Sequence, residues 1–270
     1  MAAAPSRRCN RAASLLCTPV ALQHEVRPNH LRPAADLAER VLLPGDPGRA
    51  LLVAQALLEP APRMFNHARG LWGYTGTASD GEPLTVQATG MGGPSAAIVC
   101  EELIALGATR LVRIGTCGAL TPEIPLGALL AAESVLPEDG TSAALGAGAP
   151  LEADPEMLAR LVSAGARPVT VASSDLFYDP REDSASAWAG RGAVAVEMEA
   201  ATIFQVAARR GVAAACVLGV SDVAPLAQAA GGARGAAMPS SNGARRMTQA
   251  ELEELGLRVG EAGYAAVRIP

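Results

Sequence analysis

The sequence predicts one α/β domain. Short apolar runs of strand character alternate with helical stretches from Arg40 onward, and glycine and proline punctuate their junctions. A length of 270 residues suffices for one substantial core or two small ones. Half of the residues are hydrophobic and only 3% are aromatic, which points to a core of close-packed helices on a sheet. Ligands in such folds sit at the carboxyl ends of the strands.

Val41–Leu43 is a brief apolar strand that stops at Pro44-Gly45. Asp46 and Pro47 supply an N-cap and a proline at the first helical position, opening a helix to about Leu58. Gly73–Thr77 and Leu84–Thr89 read as strands around the turn Ser79-Asp80-Gly81. A second helix starts near Pro94-Ser95 and runs to Leu106, where Gly107 ends it. Leu111–Ile114 is a buried strand leading into a glycine turn, Gly115-Thr116-Cys117-Gly118. Gly127–Leu136 is a further strand, and Asp154-Pro155 caps a helix to Ala164. Pro168–Ala172 and Ala193–Val196 are strands, Met198–Arg210 is a helix, and Ala214–Val220 is a strand ending at Ser221-Asp222. Residues 223–247 carry no usable period and read equally as a lid or a disordered loop. The last helix runs from Thr248 to about Val267.

Composition excludes several chemistries. All 22 basic residues are arginine, so there is no lysine for a Walker A loop or a Schiff base. The net charge of −5 has the wrong sign for a nucleic-acid groove. Residues 1–29 hold Arg7, Arg8, Arg11 and Arg27 against Glu25, a net of +3, which leaves −8 on the rest. That basic tract shares the Arg-rich composition of a transit peptide but reads as an unstructured extension or the product of an early start codon, so the folded domain is expected over 30–270. Five scattered cysteines without C-x-x-C fit reduced thiols and a cytoplasmic location. The longest apolar run, around Val212–Val220, is far short of the roughly 20 residues of a membrane helix. His24, His30 and His67 lie apart with no Cys/His cluster, so no metal site is expected.

Five segments could carry chemistry. In Leu43–Arg49 a strand passes through glycines into a helix start, an arrangement that binds anions. Arg49 sits in the first turn, where a cation opposes the helix dipole; a bound anion or simple solvation would account for it. Arg113 lies within an apolar strand and needs a carboxylate or an anion if it faces inward. Thr116 adds a hydroxyl, and two arginines at strand ends can clamp one phosphate. Thr89–Ser95 is not the G-x-G-x-x-G of a dinucleotide loop; its three glycines before a helix mark a tight turn near a ligand or, equally, a close helix–strand contact. Glu197 and Glu199 reach one cleft only if a strand-to-helix turn falls between them; there they could hold sugar hydroxyls, or one could compensate the helix dipole. Asp222, next to Ser221 at the end of a buried strand, could be a general acid or a loop cap.

Taken together, LLPGDPGRA (42–50), NHARGLWGYTG (66–76), TGMGGPSAAIVCEEL (89–103), RIGTCGA (113–119), SSDLFYDP (173–180), VEMEAA (196–201) and VSD (220–222) resemble the nucleoside phosphorylase family, in particular its hexameric bacterial-type purine members. The resemblance implies a three-layer α/β/α domain with a central mixed sheet, no cofactor, and inorganic phosphate as co-substrate. It implies phosphate binding by Gly45, Arg49, Arg113 and Thr116, with Arg69 arriving from a neighbouring subunit of a trimer of dimers. His30 would cap the ribose across the same interface, Met198 and Glu199 would contact the ribose, and Phe177, Glu197 and Ser221 would border the nucleoside. Asp222 would protonate the purine. A downstream arginine of the family has three candidates here, Arg234, Arg245 and Arg246. Uridine phosphorylases share the fold but typically read the pyrimidine with Gln-x-Arg, and residues 177–191 contain no glutamine. A hydrolase would leave Arg49 and Arg113 without a phosphate, and a non-catalytic nucleoside-binding relative would lack the acid and phosphate residues that are present.

Overall fold

The computed structural model describes residues 26–223 and 245–269. The expectations for the basic tract up to residue 25, for the interior of the 223–247 segment and for Arg234 lie outside the described residues.

Strand β1 (Arg40–Leu43) leads into α1 (Pro47–Leu57), whose N-cap Asp46 accepts from the backbone N–H groups of Gly48 and Arg49. Next come β2 (Arg63–Asn66), β3 (Gly73–Thr77), β4 (Pro83–Gln87) and α2 (Gly93–Ala105). They are followed by β5 (Arg110–Ala119), β6 (Leu129–Glu138), α3 (Gly140–Ala144), β7 (Leu151–Glu152) and α4 (Pro155–Ser163). The chain continues through β8 (Arg167–Ser174), α5 (Ser184–Gly190), β9 (Ala193–Glu197), α6 (Ala200–Arg210) and β10 (Ala213–Val223). It closes with β11 (Arg245–Arg246) and α7 (Gln249–Val267), the latter opened by a capping box between Thr248 and Glu251.

Among the described residues, all eleven strands belong to one mixed sheet. β4, β1, β5 and β10 run parallel, whereas β10 meets β6 and β5 meets β9 in antiparallel fashion. Because β6–β8–β9 are parallel neighbours, the chain of pairings β5–β10–β6–β8–β9 returns to β5 and closes a ring. Side-chain alternation then sorts the core into two faces. Val41, Leu43, Leu111, Cys216 and Leu218 pack toward α2 and α6. Leu42, Val112, Ile114, Ala215 and Val217 pack toward α1, α4 and α7. This is the three-layer α/β/α arrangement.

Several boundaries differ from the sequence reading. Gly115–Gly118 is no turn: β5 continues through it because β10 supplies partners as far as Ala119. The helix expected from Met198 starts at Ala200, since the Glu197 carboxylate accepts the N–H groups of Glu199 and Ala200 and holds the turn open. β2, α3, β7 and α5 are absent from the sequence reading; they are short, and the Asp139 cap of α3 is itself held by the Thr202 hydroxyl of α6. Arg245 and Arg246, assigned to the long loop, pair with the end of β10 instead.

Candidate active site

The carboxyl ends of β1, β5, β9 and β10 converge on a cavity of about 790 Å³. Gly45, Arg49, Thr116, Phe177, Glu197, Met198, Glu199, Ser221 and Asp222 all line it. Arg113 lies buried behind this wall, and neither Arg69 nor His30 borders the cavity of its own chain.

Arg113 follows Leu111 by two residues and therefore shares its face of β5, toward α2 and α6. Leu43 at the end of β1 is its register partner. Across the ring, β9 ends at Glu197 and α6 begins two residues beyond Met198, so the turn falls between the two glutamates and both carboxylates reach Arg113. Its Nε donates to Glu197 Oε2 at 2.6 Å, and its Nη2 pairs with Glu199 Oε2 at 2.5 Å. Nη1 is buried without a hydrogen-bond partner among the described residues. Burial opposes the charge of Arg113, but Glu199 and Glu197 outweigh it and hold the guanidinium cationic. The guanidinium folds back over Gly115, where a Cβ would sit 2.8 Å from Nη2.

The two glutamates are held differently. Both oxygens of Glu197 are engaged by Arg113, by the Ser173 hydroxyl and by the N–H groups of Glu199 and Ala200. Its place in the wall is thus fixed by hydrogen bonds at the head of α6. Glu199 accepts from the N–H of Gly92 at 2.5 Å, in a backbone with φ of 88° that favours glycine. Burial first, and then the charge of Glu197, raise its pKa against the opposing pull of Arg113. A carboxylate poised in this way readily takes hydroxyl donors in place of water.

Arg49 approaches from the first turn of α1. Burial lowers its pKa, Asp46 works against that, and the charge of Arg113 lowers it further. No side-chain hydrogen bond or ion pair holds it among the described residues. Arg49 on a glycine-lined helix start, with Arg113 and its unpartnered Nη1 nearby on β5, can attract an anion.

Opposite them, β10 carries a bulge: Val220 pairs with Cys117 and Asp222 with Gly118, leaving Ser221 as the extra residue. The bulge turns Asp222 into the cavity, where the Ser221 hydroxyl donates to its Oδ1 at 2.8 Å. Gly118 leaves room for it, since a Cβ there would lie 3.0 Å from Oδ2. Antiparallel β11 places Arg246 directly opposite Asp222.

Phe177, which lines the cavity, meets Tyr178 edge to face, and both are exposed. Arg69 is exposed, with a left-handed backbone at φ 58°. His30 is half-buried against Glu102. Sequence reasoning gave no role to Ser173 or Glu102, and reached Gly92 only as part of the Thr89–Ser95 glycine turn. Of these Glu102 left a trace, as a charge among the apolar residues of α2. Among the described residues no cluster of His, Cys, Asp or Glu could hold a metal ion, and no helix is long and apolar enough to cross a membrane.

The mixed α/β sheet gathers cations and carboxylates at its strand ends, and residues 39–255 match the model of the phosphorylase superfamily, to which this chain belongs. Its relatives include the DeoD-type purine nucleoside phosphorylase of Caldanaerobacter subterraneus subsp. tengcongensis, 39% identical with 69% of this chain and 84% of the relative covered. The enzyme of the same name from Geobacillus kaustophilus is 39% identical (69% and 82% covered), and that from Clostridium novyi is 36% identical (69% and 83% covered).

Proposed function

We propose that this chain catalyses the phosphorolysis of purine nucleosides to the free base and a pentose 1-phosphate. The observation that carries the reading is a single cavity lined by Arg49, Glu199 and Asp222, with Arg113 buried behind its wall and paired with Glu199. Inorganic phosphate sits on Gly45, Arg49, Arg113 and Thr116, using the free Nη1 of Arg113. It attacks C1′ of the sugar, which passes through oxocarbenium character. The phosphate is both nucleophile and counter-charge to that cation. Glu199 accepts from the sugar hydroxyls, with Met198 against the ribose. Phe177, Glu197 and Ser221 border the base. Asp222 gives a proton to purine N7 as the bond to C1′ breaks, and the electron pair leaves with the base.

Arg246 is the downstream arginine best suited to assist, because directly opposed residues of an antiparallel pair share one face and Arg245 faces Val223 instead. Arg69 and His30, remote from their own cavity, serve the cavity of a neighbouring subunit in a hexamer built as a trimer of dimers. The domain spans 30–270 and works in the cytoplasm, without a metal or organic cofactor.

The deciding assay incubates purified protein with inosine, guanosine, adenosine or uridine, with and without phosphate. Phosphate-dependent cleavage of the purine nucleosides is expected. Cleavage of uridine alone would sink the purine reading, and cleavage without phosphate would indicate a hydrolase. No turnover at all would leave a nucleoside-binding protein. Asp222→Asn is expected to lower kcat by about 10²–10⁴, the usual range for a lost general acid. Adenosine should suffer more than guanosine, because a 6-amino purine depends more on N7 protonation.

A further inference from the structure

Glu102 is a buried carboxylate that the reaction above does not use. It lies on α2, the helix whose first turn follows the Gly92 N–H that holds Glu199. Its two oxygens accept the backbone N–H of His30 at 3.0 Å, the N–H of Leu31 at 2.7 Å and the N–H of Asn29. Glu102 Oε1 also meets the His30 ring at Nδ1, at 2.7 Å. Burial works to raise the pKa of this carboxyl, but the donors from Leu31, His30 and Asn29 prevail and keep it anionic.

Anchoring the chain at 29–31 does not require a buried anion. Leu31 is in the core, and backbone carbonyls could satisfy the N–H groups without the desolvation a carboxylate suffers. What the anion adds is the contact to the ring. A carboxylate only accepts, so the imidazole proton must lie on Nδ1, and a neutral His30 then offers Nε2 as an acceptor. The ring remains 27% exposed.

We infer that Glu102 is a positioning residue that fixes the tautomer and place of His30, so that Nε2 accepts a hydrogen bond from a sugar hydroxyl of the nucleoside in the neighbouring subunit. The inference rests on the ribose-capping reading of His30. It makes α2 a single rod with an end at each of two sites, Glu199 of its own and His30 of the next.

Nitrogen NMR of protein labelled at its three histidines, at mildly alkaline pH, reads the tautomer directly, with His30→Ala assigning the signal. Wild-type His30 should carry its proton on Nδ1 and lose that preference in Glu102→Gln. A wild-type ring protonated on Nε2 overturns the inference, and this measurement stands even if Glu102→Gln fails to fold. In steady-state kinetics Glu102→Gln should raise KM for nucleoside about tenfold, the equivalent of one charge-assisted hydrogen bond, and leave KM for phosphate within about twofold. His30→Ala should raise it at least as much, with no further loss in the double variant. A lowered Tm with unchanged nucleoside KM in Glu102→Gln, beside a raised KM in His30→Ala, would reduce Glu102 to an anchor. An unchanged KM in His30→Ala would instead overturn the ribose reading of His30, and the role of Glu102 in the reaction with it.

Discussion

Two buried arginines of one sheet, Arg40 and Arg113, are built in opposite ways. Arg40 begins β1, and all five of its N–H groups are used: by both oxygens of Asp80 and by the carbonyls of Pro83, Glu82 and Val267. The Tyr264 ring lies 5.8 Å away, and Asp80 itself also accepts from Ile269 and Glu82. Arg113, beside the other end of β1, meets two carboxylates yet keeps Nη1 unsatisfied among the described residues, with Arg49 as a second cation nearby. A complete set of partners closes a structure, here pinning the end of α7 to the β3–β4 turn. An incomplete set, with surplus charge of both signs, leaves free energy to be released by a ligand. The difference separates scaffold from site without reference to any relative.

The comparison breaks most sharply at Asp80. The Arg40 hydrogen bonds hold its carboxyl well below the usual carboxylate range. Asp80→Asn would turn an amide donor toward a guanidinium and strand a cation that is 3% exposed. Removing one partner of such a pair costs about 3–5 kcal/mol, a fall in Tm of roughly 10 °C for a domain of this size. The folded fraction should retain its KM for phosphate. A stable Asp80→Asn protein, or one whose phosphate KM moves with its Tm, would show that completeness of bonding does not mark scaffold.

At the site the signs reverse. Arg49→Met removes a cation from the positive end of α1 and from beside Arg113, so stability should hold or rise slightly. KM for phosphate should increase about thirtyfold, matching a hydrogen bond to a charged group of about 2 kcal/mol. Paired thermal melts and phosphate titrations check both halves. Loss of stability with little change in phosphate KM would place Arg49 with Arg40, as structure.

The sequence carried most of the architecture because its punctuation is local: Asp46-Pro47 and Asp154-Pro155 cap their helices where expected. The site was legible as residues and not as an assembly. Arg113 and Glu197 stand 84 residues apart, and only the antiparallel β5–β9 pairing that closes the ring brings them together. The bulge at Ser221 is likewise a property of two strands and cannot be read from either alone. Arg40 and Asp80 stand 40 residues apart, and only the fold brings them together and adds partners from Val267 and Ile269. Glu102 came closest to being visible, one residue before Leu103 on a helix that buries Ala96, Val99 and Cys100.

The smallest test concerns a pair in the cavity wall whose carboxylate, like that of Asp80, is buried and held by an arginine. Asp179 is buried and accepts from the N–H, Nε and Nη2 of Arg181, which together hold its pKa at about 2 against an ordinary 3.8. The folded value lies below the unfolded one, so the unfolded chain binds the proton first as the solution is acidified. The pair's stabilisation is therefore complete above about 3.8 and is lost as pH falls toward 2. Arg181 is half exposed, so solvent screens the pair and the effect should be slight. Denaturation midpoints of the wild type and Arg181→Ala, measured across that range, should differ at neutral pH and converge on the acid side. A gap that persists at low pH would mean that Arg181 acts through packing rather than through the charge of Asp179. The pair would then leave the class that Arg40 and Asp80 define.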